Sequence, residues 1–220
     1  MEAKFWLERW LNRQIGWHQD QFNPWLIKYW PGFALPAGSS VFVPLCGKSL
    51  DMMWLKSAGH RVFGVELSEL AVEEFFAEAQ IEFEIVENPP DLPRYRGDVF
   101  NIYCGDYLEI SARQLNVAHG TYDRGGLVAL PLEQRAIYAD HVQRVMPDGG
   151  HMLLLTFEYD QGQVPGPPFS VEQSEVQTLY GSRCKVELLE VGTTDVVPPH
   201  FTEAGVTSAM EGIYHITKEH

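Results

Sequence analysis

Beyond residue 39 the chain alternates short apolar runs with stretches whose apolar residues recur every three or four positions. The runs predict strands at 40–43, 61–65, 81–86, 99–103, 119–123, 152–157, 184–191 and 209–217. The helical spacing predicts helices over 48–58, closed by Gly59, and over 68–79, with Ser68 as N-cap. Two more follow at 131–145, with Pro131 in the first turn, and near 171–180. Pro89, Pro90 and Pro93 mark a loop, and Val164-Pro165-Gly166-Pro167-Pro168 marks a stiff one. Before residue 39 the pattern differs. Phe5, Trp6 and Trp10 fall on one helical face, as do Phe22, Trp25, Leu26 and Tyr29. Asn23-Pro24 starts the second of these short helices and Pro31-Gly32 stops it. Residues 1–38 read as a helical cap on a main body, 39–220, within one domain.

Strands alternating with helices predict an α/β fold, doubly wound on a mostly parallel sheet. No helix pattern separates the last two strands, so an antiparallel edge pair is expected there. In such a sheet ligands bind at the carboxyl ends of the strands. The loop Pro44-Leu45-Cys46-Gly47-Lys48 follows the first strand and forms one wall of any such site. Gly47-Lys48-Ser49 ends like a phosphate-binding loop, but Phe42 stands where that loop needs a glycine. One glycine also falls short of the dinucleotide fingerprint. Glu66 ends the second strand at the spacing of a carboxylate that takes both hydroxyls of a ribose. A ligand with adenosine but no pyrophosphate, such as S-adenosylmethionine, needs that carboxylate and not three glycines. Taken alone, Glu66 reads equally as a surface glutamate opening a helix.

Composition narrows the partners. Hydrophobic residues make up 45% of the 220, enough for a full core, and the net charge is −14. An acidic surface repels phosphate backbones, so nucleic acid is not an expected partner. The three cysteines, Cys46, Cys104 and Cys184, form no C-x-x-C pair and fit a reducing, cytoplasmic setting. The first residues carry both charge signs without an apolar core, unlike a signal peptide, and no apolar run is long enough to span a membrane. No H-E-x-x-H occurs, and no metal site is expected.

Longer motifs carry a specific resemblance. They are Val41 to Ser49, Gly59-His60, Gly64 to Glu69, Glu74-Phe75-Phe76, Asp123 to Ala129, Tyr138-Ala139-Asp140 and Pro165 to Phe169. With Phe5-Trp6, Arg9-Trp10 and Trp17-His18-Gln19 they span residues 5 to 169 in order, and the set resembles the thiopurine S-methyltransferase family. The resemblance implies a Rossmann-like class I methyltransferase fold with a seven-stranded sheet, and S-adenosylmethionine as methyl donor. It implies that Trp10 and Leu45 contact the donor, Gly47 lines it, and Glu66 holds its ribose. Asp106 and Tyr107 border the adenine, where this chain reads Gly-Asp-Tyr instead of the Ser-Ile type of some relatives. Arg124 lies near the donor's carboxylate and the substrate side. Trp17, often Phe in the family, and Pro165 of the lid loop face the substrate. Tryptophan faces attract cations within about 6 Å by roughly 0.5–2 kcal/mol, which suits a sulfonium donor under Trp10.

The expected reaction is an in-line displacement on an aromatic or heterocyclic thiol by a monomer. Arg124 is the candidate to stabilise the thiolate; its alternative is a structural arginine at a strand end. His200, aligned near the substrate, reads either as a proton relay or as a solvated loop histidine. Two other readings stay open: methylation of selenium or tellurium species by the same fold, and a non-catalytic small-molecule binder.

Overall fold

The computed structural model of the chain describes residues 3–219. In chain order it runs α1 (Ala3–Leu11), α2 (Pro24–Tyr29), β1 (Ser40–Pro44), α3 (Asp51–Ser57), β2 (Arg61–Glu66) and α4 (Glu69–Ala79). Then come β3 (Glu84–Val86), β4 (Arg94–Gly97), β5 (Phe100–Cys104), β6 (Gly120–Arg124), α5 (Leu132–Val145) and β7 (His151–Glu158). The chain closes with α6 (Gln173–Tyr180), β8 (Cys184–Thr194), α7 (Pro199–Glu203) and β9 (Ala209–Lys218). One sheet holds every strand in the order β3-β4-β5-β2-β1-β6-β7-β9-β8.

Strands β5, β2, β1, β6 and β7 run parallel. Helix α3 makes the crossover from β1 to β2, and α5 the one from β6 to β7. Strand β9 pairs antiparallel with both β7 and β8, which gives the expected antiparallel pair at that end. The expected seven strands are present as β5-β2-β1-β6-β7-β9-β8, and a hairpin of β3 and β4 widens the sheet to nine. Two readings are thereby corrected. The strand expected at 81–86 is shorter and lies at the outer edge. Residues 94–97, directly after the proline-marked loop, form β4, where no strand is expected. Pro89, Pro90 and Pro93 fall between the two hairpin strands, where no ladder N–H is required of them.

Alternation assigns side chains to the two faces of the sheet. Val41, Val43, Val62 and Ile102 pack on one face with Met52 and Leu55 of α3 and with Val72, Phe75 and Phe76 of α4. Leu26, Trp30 and Phe33 join the same cluster, so the N-terminal segment shares the core. Phe42, Phe63, Val65 and Tyr103 face the other way. Full burial of each such side chain contributes about 1.5–3 kcal/mol.

The caps follow the sequence. Asn23 Oδ1 accepts from the Trp25 and Leu26 N–H groups at 2.9 and 3.4 Å, and Ser68 Oγ accepts from Ala71 N at 3.3 Å. Helix α3 starts at Asp51, three residues later than expected, because residues 45–49 are held in a turn by the Cys46 to Val65 and Ser49 to Cys46 backbone bonds. Phe22 precedes α2 and is exposed, unlike Trp25, Leu26 and Tyr29. Helix α7 lies between β8 and β9, where no helix was expected; five residues are too few for a periodic signal.

Candidate active site

The chain runs from β1 to β2 and β5 on one side, then returns to place β6 on the other side of β1. The carboxyl ends of these four neighbours therefore meet at a switch point, where loops diverge and leave room for a ligand. They present Leu45 to Lys48, Glu66, Gly105 to Tyr107, and Arg124.

Glu66 is 7% exposed. Its Oε2 accepts the Gly47 N–H at 2.9 Å and its Oε1 the Ser68 N–H at 2.8 Å. One carboxylate thus ties the β1 loop to the start of α4, and each oxygen keeps a further lone pair for a ligand hydroxyl. Burial pushes the Glu66 carboxyl above the usual range, against the backbone N–H groups that favour the anion. Lys48 is turned away from this loop. Its Nζ lies 3.0 Å from Glu74 and 2.5 Å from Glu78, both on α4, and Glu74 also pairs with Arg13 beyond α1. A lysine so engaged cannot serve a phosphate cradle.

Trp10 is buried over this loop. Gly47 has φ +52, and a Cβ there would stand 3.1 Å from Trp10 Cζ2. Alanine at position 47 should therefore cost about 1–2 kcal/mol of stability through the left-handed backbone alone. It should also displace the Trp10 ring, so thermal melting and ligand titration of Gly47→Ala should both report losses. Trp17 meets Trp10 edge-on at 5.9 Å and Trp6 at 5.3 Å. This aromatic group closes over the loop. Cavities of about 530 and 570 Å³ open elsewhere, beside Tyr159 and beside Arg94, and neither includes Glu66 or Arg124 in its lining.

Arg124, at the end of β6, is 18% exposed at its side chain. Its Nε stands 3.1 Å from Asp51 Oδ2, and its Nη1 donates to the Trp17 carbonyl at 3.5 Å. The rest of the guanidinium fork has no protein acceptor among the described residues, which fits it to an anionic group in the cleft. His18, beside Trp17, is half-buried; burial, then Lys48 and Arg124, pull its imidazole down and keep it neutral at pH 7. Sequence pattern singles out neither Asp51 nor His18 as a site residue.

Next to Arg124, Asp123 is fully buried. Its Oδ1 accepts from Gly126 N and Leu127 N at 3.1 and 3.2 Å, and its Oδ2 from the Tyr138 hydroxyl at 2.8 Å. Gly126 has to be glycine, because a Cβ would fall 2.4 Å from that hydroxyl. Burial raises the Asp123 carboxyl to about 6 from an ordinary 3.8. The folded state then binds this proton more tightly than the unfolded chain. The resulting stabilisation is full below the unfolded value and is lost as pH rises through about 6. Between pH 7.5 and 5 the wild type should gain about 1.4 kcal/mol relative to Asp123→Asn, read by urea unfolding of both proteins.

The remaining expected residues lie around this centre. Leu45, with φ +45, packs its half-buried side chain against the cluster that includes Leu127, Val128 and Tyr138. Asp106 is exposed and accepts from Leu108 N at 2.9 Å. Tyr107 is half-buried and meets Tyr138 edge-on at 5.2 Å. Pro165 is exposed on a loop anchored by the Tyr159 hydroxyl, which donates to the Val164 and Pro168 carbonyls at 3.2 and 2.9 Å. Phe169 N donates to the Val128 carbonyl at 2.7 Å and so ties that loop to the segment following Arg124. His200 is exposed on α7, which docks through Phe201 on Tyr159. Pro199 reaches the N-terminal cap at Gly16, beside Trp17. Direct contacts thus join Trp10, Trp17, Gly47, Glu66 and Arg124 into one continuous cluster. Asp106, Tyr107, Pro165 and His200 stand outside it.

Known proteins share this fold. Among solved structures, magnesium protoporphyrin IX methyltransferase from Synechocystis PCC 6803, with bound S-adenosylhomocysteine, superimposes with a TM-score of 0.68. That match has 13% identity and covers 99% of this chain and all of the other. An S-adenosylmethionine-dependent methyltransferase from Anabaena variabilis gives 0.65 at 14% identity, over 99% of this chain and 95% of the other. At these identities the likeness shows the fold. The sequence goes further. The thiopurine S-methyltransferase of Pseudomonas fluorescens (strain Pf0-1) is 45% identical over 98% of this chain and 99% of its own. That of Bordetella petrii is 43% identical over the whole of both chains. The family model of thiopurine S-methyltransferases matches residues 1–219. On both fold and sequence, the chain belongs to the thiopurine S-methyltransferase family.

Proposed function

We propose that the cluster at the ends of β1, β2, β5 and β6 transfers a methyl group from S-adenosylmethionine to the sulfur of an aromatic or heterocyclic thiol. The observation that carries this reading is the meeting of Glu66, Gly47 and the unsatisfied Arg124 fork beneath Trp10 and Trp17. The donor, when bound, supplies a methyl group already activated by a sulfonium. Glu66 accepts the ribose hydroxyls on its free lone pairs. Asp106, whose second oxygen accepts no donor among the described residues, takes the adenine amino hydrogen, with Tyr107 and Leu45 beside it. Trp10 covers the cation and keeps water out.

Trp17 and Pro165 wall the acceptor side, and the Arg124 fork takes the donor's carboxylate and holds the acceptor sulfur as thiolate. The thiolate forms the new S–CH₃ bond as the sulfonium S–CH₃ bond breaks. The electron pair of that bond stays on the departing sulfur, giving S-adenosylhomocysteine. Alignment and desolvation supply most of the rate, since the leaving group is neutral. A monomer in the cytoplasm, acting on a small molecule and not on nucleic acid, belongs to the same reading. The charge of −14 supports it, and no described helix is long and apolar enough to cross a membrane.

Titration calorimetry tests this directly. The folded protein should bind S-adenosylmethionine and S-adenosylhomocysteine in the micromolar range and methylate a heterocyclic thiol. No binding of either ligand by well-folded protein would sink the reading.

A further inference from the structure

Asp51 is 1% exposed, on the first turn of α3, and no part of the proposed reaction uses it. A carboxylate buried there without partners would cost several kcal/mol. It has three, from two distant parts of the chain. Oδ1 accepts Asn23 N at 2.8 Å, Oδ2 accepts the Tyr122 hydroxyl at 2.9 Å, and Arg124 Nε stands 3.1 Å from Oδ2. Asn23 is the cap of α2, and its backbone bond ties the N-terminal segment to this carboxylate. Tyr122 precedes Arg124 by two residues on β6 and is itself fully buried.

The Arg124 contact is the informative one. Its N–H is not aimed along the line to Oδ2, and Nε makes no regular hydrogen bond among the described residues. Charge holds the arginine there, while Tyr122 and Asn23 fix the carboxylate. The far end of the guanidinium stays turned toward Trp17 and the cleft. A bidentate grip by Asp51 would have consumed the fork that an anionic ligand needs.

We propose that Asp51 is a positioning residue of the reaction: it sets the direction of the Arg124 fork and links that direction to the seating of the N-terminal cap. The inference rests on the assignment of Arg124 to the ligand site. The alternative is a clamp that only stabilises the fold.

A double-mutant cycle separates them. S-adenosylhomocysteine affinity is measured by calorimetry for the wild type, Asp51→Asn, Arg124→Met and the double variant, each checked by thermal melting. Asp51→Asn should weaken binding roughly tenfold with Arg124 present and less than twofold with Met at position 124. Asp51→Glu, which keeps the charge, should restore affinity to within about threefold of the wild type. An equal loss in both backgrounds, or no loss in either, would overturn the inference and leave Asp51 a structural residue. Wild-type affinity in Arg124→Met would instead overturn the assignment of Arg124 to the donor's carboxylate, and the inference with it.

If a variant of this cycle does not fold, Tyr122→Phe and Arg124→Lys replace the two substitutions. Tyr122→Phe should then weaken binding about two- to threefold with Arg124 and not with Lys. The same loss in both backgrounds would again overturn the inference.

Discussion

Replacing Glu66 by alanine should weaken S-adenosylhomocysteine binding by about 10²–10⁴-fold. Two hydrogen bonds from ribose hydroxyls to a buried carboxylate are each worth about 1.5–3 kcal/mol, and each 1.4 kcal/mol is tenfold in affinity. The same change strands the Gly47 and Ser68 N–H groups, now held at 2.9 and 2.8 Å. Each stranded donor costs about 1–3 kcal/mol, so the alanine variant should also melt earlier. Glu66→Gln separates the two effects. It keeps the shape and one carbonyl oxygen, so it should lose less stability than alanine while still binding at least about tenfold more weakly. Burial raises the Glu66 carboxyl, so acidification protonates it earlier than an exposed glutamate. Wild-type affinity should therefore fall with falling pH, and the glutamine variant should not show that dependence. Calorimetry at two pH values reads all of this.

Removal of the Arg124 charge should have the largest effect on turnover. Arg124→Met should lower kcat for thiol methylation by about 10²–10³-fold, the usual cost of deleting one preorganised group that stabilises developing or resident charge. Stability should fall too, because Asp51 loses its cationic partner. Breaking a buried pair costs about 3–5 kcal/mol, and the lower end applies because Arg124 is partly exposed. Arg124→Lys keeps the charge beside Asp51 and should preserve the melting temperature. It lacks the planar fork, so its activity should still fall by at least about tenfold. Equal activity of the lysine variant and the wild type would mean that charge alone suffices there. Single-turnover rates on the three proteins, at saturating donor, decide the matter.

Much of the scaffold is legible in the sequence because it rests on local patterns. Strands β1 and β2 are runs of β-branched and aromatic residues buried on both faces, and the sequence shows them as uninterrupted apolar stretches. Ser68 and Asn23 announce their helices because a capping side chain bonds within its own next turn. The hairpin of β3 and β4 was obscured for the opposite reason. Arg94-Tyr95-Arg96-Gly97 becomes a strand by pairing with β5, and nothing local separates it from the proline loop before it.

The site divides in the same way. Glu66, Gly47 and Arg124 could be named because each ends a strand of a recognisable pattern and lies within a motif of the family. The sequence by itself therefore determined the α/β sheet, the strand ends where chemistry sits, and the family with its methyl donor. Tertiary structure alone decided that Lys48 turns to α4, that Trp10 lies on Gly47, and that Asp51 stands behind Arg124. Asp51 meets partners 28, 71 and 73 positions away along the chain. Such contacts carry no local period. They exist only once the sheet has closed and burial has made an unpaired carboxylate too costly to leave alone.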